Sequence, residues 1–246
     1  RQLFYLLQTD PKYLIEVIMS MPIAKAKSLI EDCVLPLFGH GQSTKEEYLL
    51  LKLAAALAEK EMDRLGKSAE DFMAADMLFV RLALNFARGA KEVSFLKSLL
   101  GPLIDEIIGN ESLSFETDPI NIYREVIKQQ EMDTGLKSTL PFDVTREEAF
   151  QNILVKERYV ENLKALQLYA RKFIVAIISS HEFLPYCVRY ILSQIYKSIP
   201  QSRVIGHFVF YRYINPAIVS PETFDVLERP IGATDRKNLA EVSRLI

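Results

Sequence analysis

Little in this 246-residue sequence advertises chemistry. Only two cysteines occur, Cys33 and Cys187, far apart and each in apolar surroundings. That excludes a disulfide framework and predicts two plain buried thiols in a reducing, cytoplasmic setting. Histidine is also scarce, and His40, His181 and His207 fall in no metal-ligand spacing. There is no GxxxxGK[ST] loop, so the chain is not itself a P-loop nucleotide hydrolase, and no G-x-S-x-G nucleophile elbow. A net charge of −2 gives no footing for nucleic acid. No apolar run reaches the length of a membrane-spanning helix, and the first residues do not read as a signal peptide. The paired acids Glu46/Glu47 and Glu147/Glu148 suit the positive end of a helix dipole better than acid–base work. An enzyme with its own cofactor is not expected. The absence of an initial Met predicts a segment of a longer protein.

What is present is helix. Ser43 with Glu46, and Thr145 with Glu148, have capping-box spacing, in which a hydroxyl and a carboxylate three residues on serve each other's free backbone N–H groups. Asp118 followed by Pro119 supplies an N-cap and then a proline where a missing N–H costs nothing. The run 48–58 opens a helix predicted to end near Gly66. Val160, Leu163, Leu166, Ala170, Phe173, Ile174, Ile177 and Ile178 recur at three- and four-residue steps and predict one buried face of a long helix. Pro185 opens the next, residues 203–214 form another, and 235–246 a last. The clearest loops, 39–43 and 133–143, are too short to link separate domains. The expectation is an all-α fold of antiparallel helices in a single domain over 1–246.

One stretch stands apart. FYRYINPAIVSP, residues 210–221, carries a single charge, Arg212, within an apolar and aromatic run. Helical spacing puts Phe208, Tyr211 and Ile214 or Asn215 on one face with Arg212 beside it. Pro216 biases Asn215 away from helix and predicts that the helix ends there. At such an end Arg212 and Asn215 could fasten a neighbouring loop, or Arg212 could form a buried ion pair.

This run resembles the F-L-R-[FY]-I-N-P-A-[IV]-V-x-P signature of Ras GTPase-activating (RasGAP) domains, with Tyr211 where Leu is usual. Pro185-Tyr186 with Arg189-Tyr190 resembles another helix of that family. FYLLQTDPKYL (4–14), EEYLLLKL (46–53), NFARGAK (85–91), TDPINIYREV (117–126), LPFDVTREEA (140–149), YRYINPAIVSPETFD (211–225) and TDRKNLAEV (234–242) are similar, in order, to the GAP-related domain of IQGAP cytoskeletal scaffolds. The resemblance covers essentially the whole chain and points to a fungal or other lower-eukaryote cytokinesis member.

The resemblance implies an all-helical domain that grips a GTP-loaded small GTPase of Rho or Rac type. It implies that Arg212 braces the loop bearing the family's catalytic arginine finger and that Asn215 fixes the turn and the groove wall. Threading back from Pro102 places that loop within 74–86, at Met77, Leu78, Phe79 and Val80, where no L-F-R triplet occurs. The finger position falls near Leu78 and is apolar, and Leu78 or a neighbour offers neither charge nor donors to a phosphate. Arg81 comes one residue late in LFVR, about 100° round a helix, and Arg88 lies in a region that is not the finger in this family. Candidate groove residues are Arg81, Arg88, Tyr211, Arg212, Asn215, Lys237 and Arg244, the last standing where active RasGAPs commonly carry Lys. The expectation is a GTPase binder without GAP activity and without a cofactor. An active domain using Arg81 and a scaffold module without GTPase binding are the alternatives. The same resemblance implies a cytoplasmic protein of the cortex or contractile ring, with actin and calmodulin bound by segments outside these residues.

Overall fold

A computed structural model of the chain describes residues 2–86, 90–110 and 112–246, with side chains 90–93 outside that description. Every regular element among the described residues is helical. Helices α1 (Gln2–Thr9), α2 (Pro11–Ser20), α3 (Ile23–Leu29) and α4 (Leu35–Leu37) lead to the long α5 (Thr44–Arg64). Then come α6 (Ala69–Ala74), α7 (Leu78–Phe86), α8 (Ala90–Ile108), α9 (Pro119–Thr134) and α10 (Arg146–Ala149). The longest, α11 (Ile153–Ser179), precedes α12 (Tyr186–Ser198), α13 (Ser202–Gly206), α14 (Asn215–Val219) and α15 (Ala233–Leu245).

The local signals act as their chemistry dictates. Ser43 and Glu46 close the capping box of α5, Thr145 and Glu148 that of α10, and Asp118 caps α9 ahead of Pro119. Gly41, at φ +71°, belongs to the turn before α5, and a Cβ there would strike the Phe86 ring at 2.2 Å. Only glycine fits, on both backbone and steric grounds. Helix α5 buries Leu50, Leu53, Leu57 and Met62 and packs against α2, α7 and α12. Helix α11 packs against α8, α9 and α15. The main core joins Phe38, Phe79, Phe115, Phe173 and Phe208. A smaller cluster gathers Ile122, Tyr123, Val126 and Ile127 of α9 with Ala149 and Val155.

Several expectations fail. Cys33 is exposed, because the π-helical turn Ile30–Val34 directs Ile30 and Val34 inward and the residues between them outward. Val160 and Ile178 of α11 are exposed; the buried face runs instead through Val155, Leu166, Tyr169, Phe173 and Ile177. The helix also does not end at Asn215, which is right-handed helical (φ −55°, ψ −42°) and leads through Pro216 to Val219.

A π-helical stretch, His207–Ile214, explains that continuity. The Asn215 N–H reaches back to the Phe210 carbonyl, five residues away, immediately before the proline that has no N–H to give. The same device recurs at Ile30–Val34, where the Leu35 N–H bonds the Ile30 carbonyl just before Pro36. Widening the turn also breaks the expected aromatic face, for Phe208 and Ile214 are buried while Tyr211 is exposed.

Candidate functional site

The loop between α6 and α7, residues 75–77, is held from two sides. From α5, Glu61 takes the place of an N-cap. Its carboxylate accepts the Leu78 and Phe79 N–H groups at 3.0 and 2.8 Å, two of the four donors that open α7 and have no partner within it. Burial pushes the Glu61 carboxyl up, against the two N–H bonds and the Arg64 guanidinium, which pull it down. From the π-helix, Arg212 donates to the Met73 and Ala75 carbonyls at 3.2 and 2.9 Å. Burial and the Arg212 charge hold His207 below its ordinary range, outweighing the pull of the Met73 backbone in the other direction. The His207 ring stacks on Tyr211 at 5.0 Å, and the Arg212 guanidinium lies 5.8 Å from the Tyr211 ring centre.

Between these clamps Met77, Leu78, Phe79 and Val80 are all buried. Beside them a cavity of about 690 Å³ opens between the α2–α3 corner and the end of α5. Glu61, Arg64, Asp76 and Leu78 line it, so its one guanidinium faces two carboxylates. Asp76 is itself paired with Lys27 of α3.

Arg81 leaves α7 in another direction. Its Nε and Nη2 bond one Glu31 oxygen at 2.8 and 2.7 Å, and Asn85 donates to the same atom at 3.2 Å. Helix α15 supplies the remaining candidates. Asn215 Nδ2 donates to the Ser243 carbonyl at 3.2 Å, tying the proline-containing helix to the last turn of α15, where Arg244 pairs with Glu241 at 2.6 Å. Lys237 pairs with the buried Glu116. Burial opposes the Lys237 charge, but the Glu116 carboxylate prevails and raises its pKa. Glu116 also accepts from the Asp118 N–H at 2.7 Å and Asn121 at 3.0 Å, and its carboxyl is held low despite burial. Asn238 clamps the adjoining segment through the Phe115 N–H and the Leu113 carbonyl, each 2.9 Å.

Of the sequence candidates, then, Arg212 and the 77–80 stretch meet at one loop, and Asn215 and Arg244 meet at the end of α15. Lys237 faces the segment before α9, and Arg81 faces Glu31. Arg88 lies outside the described residues. Sequence reasoning missed Glu61, Arg64, Glu31 and His207. Glu61 meets its partners 17 and 18 residues away and Glu31 meets its own 50 and 54 residues away, so no local spacing announces them.

The chain matches the family model described as GTPase-activator protein for Ras-like GTPase over residues 53–246. It is 34 % identical over 260 residues to human Ras GTPase-activating-like protein IQGAP2, covering all of this chain and 16 % of that protein. Against Ras GTPase-activating-like protein rgaA of Dictyostelium discoideum the identity is 35 % over 256 residues, covering all of the chain and 31 % of the relative. Against rng2 of Schizosaccharomyces pombe it is 28 % over 258 residues, covering 99 % and 17 %. The chain thus spans between a sixth and a third of the length of these relatives.

Proposed function

From the premise that the chain belongs to the RasGAP family, as the RasGAP-related domain of IQGAP-type proteins, we propose that it is one domain that binds a GTP-loaded small GTPase without accelerating hydrolysis. The observation that carries this reading is the loop before α7. Leu78, near which the resemblance puts the finger, is buried, and the helix N-terminus behind it is occupied by Glu61. An arginine finger contributes about 10³–10⁵-fold in rate, roughly 4–7 kcal/mol of barrier. An apolar buried side chain supplies none of that charge. Arg81 is engaged by Glu31, and Arg64 shares the neighbouring cavity with two carboxylates, Glu61 and Asp76.

Loss of the finger leaves docking intact in principle, because docking reads the switch segments that the γ-phosphate orders. On this reading Arg212 and Asn215 act by holding the 73–77 loop and the end of α15 in place, and Tyr211 and Arg244 offer exposed side chains to the partner. The partner class is Rho- or Rac-like, and the larger protein works at the cytoskeleton, in the cell cortex or contractile ring. Actin and calmodulin binding belong to segments beyond these residues.

Single-turnover GTP hydrolysis with a panel of Ras- and Rho-type GTPases, paired with affinity measured in both nucleotide states, tests the reading. GTP-selective binding with unchanged hydrolysis is expected. Acceleration that disappears in Arg81→Ala or Arg64→Ala overturns the catalytic half; equal or absent binding in both nucleotide states overturns the docking half.

A further inference from the structure

Helix α11 carries two apolar faces where the fold uses one. Val155, Leu166, Tyr169, Phe173 and Ile177 enter the core. A second stripe runs through Ile153, Glu157, Val160, Lys164, Leu168, Arg171, Val175 and Ile178, again in steps of three and four. Its five apolar members are between 46 and 68 % exposed. Over its length the stripe rises about 37 Å and returns to within about 20° of its starting direction, so it forms a straight seam. A surface helix normally keeps its outer face polar.

The charges in the seam say what covers it. Glu157, Lys164 and Arg171 alternate with the apolar residues, and none of them pairs with another group among the described residues. We propose that this seam is a self-association surface, joining two copies of the chain through antiparallel α11 helices with Lys164 near the dyad. In that register Ile153 meets Val175, Glu157 meets Arg171, and Val160 meets Leu168, each contact made twice as an isologous interface requires. The two Lys164 ammonium groups face each other across the dyad, each one turn from the other copy's Glu161. A parallel pair sets Glu157, Lys164 and Arg171 each against its own like, which is unfavourable along the whole seam.

Sedimentation of the 246-residue chain across roughly 1–100 µM, a range that brackets ordinary specific association, tests the assignment. The wild-type chain is expected to dimerise. Leu168→Asp should weaken the dimer at least tenfold with the far-UV spectrum unchanged, since the side chain is more than half exposed. Glu157→Arg and Arg171→Glu should each weaken it, and the two together should restore it. A wild-type chain monomeric throughout, a dimer indifferent to Leu168→Asp, or a charge-swapped pair that fails to recover removes the proposal. Capture of the seam by another segment of a larger protein registers here as the monomeric outcome.

Discussion

Arg81 and Arg212 sit on helices that flank the same loop, yet they meet opposite kinds of partner. Arg81 turns to a carboxylate, Glu31, and both side chains remain about 40 % exposed. Arg212 turns inward to two backbone carbonyls of the loop and has no carboxylate partner among the described residues. A surface ion pair can open at little cost, because water replaces each partner. A guanidinium that satisfies carbonyls cannot be withdrawn without leaving them bare. The difference teaches that charge type says little about role, while the partner's ability to find water says much.

The harshest test of this contrast moves a guanidinium into the loop. Leu78→Arg places a cation at a buried position already neighboured by Arg64. It should cost several kcal/mol in denaturant unfolding without conferring GTP hydrolysis. Activity in a stable Leu78→Arg protein would show that the site lacks only the charge, and that the loop opens readily.

Arg212→Ala comes next. It strips two carbonyls of charged donors and should lower stability by about 2–4 kcal/mol. Arg212→Lys should recover part of the loss, since an ammonium cannot reproduce the guanidinium's planar reach. Glu61→Ala, which frees the Leu78 and Phe79 N–H groups, should cost about 1–3 kcal/mol. Hydrogen exchange at those two amides should rise with it.

The His207 contribution is read by pH. Its pKa is depressed in the folded state, so its share of stability is complete above the ordinary value of 6.5. That share is lost as pH falls from 6.5 toward the lower folded value, because the unfolded chain takes the proton first. Thermal unfolding between pH 7.5 and about 5 should show this decline in the wild type and a shallower one in His207→Gln. The smallest effect belongs to Arg81→Ala, at most about 1 kcal/mol, with hydrolysis unchanged. A larger loss would erase the contrast between the two arginines.

Much of the helical order was legible because its signals are local. Ser43 with Glu46, Thr145 with Glu148, and Asp118 with Pro119 act within one turn, so their spacing is their mechanism. The widened turns were not legible: Pro216 announces a disturbance, but whether the backbone stops or takes in a residue depends on what Phe208, Tyr213 and Ile214 must bury. The faces of α11 were confused for a related reason. Two apolar stripes overlap in one sequence, and only packing against α8, α9 and α15 separates them. At the site, Arg212 stood out as a charge in an apolar run, whereas Glu61 resembled any acid near a helix end. Its importance comes from a fold that brings the start of α7 across to it.

The widened turn ahead of Pro216 carries a distinct cost under mutation. It stores one residue more than a regular helix of the same rise, so removing a single residue between His207 and Ile214 offers the backbone a route to ordinary winding with the downstream chain kept in phase. What is then lost is the room that the wide turn gives Pro216, whose ring crowds the carbonyl four residues back in an ordinary helix.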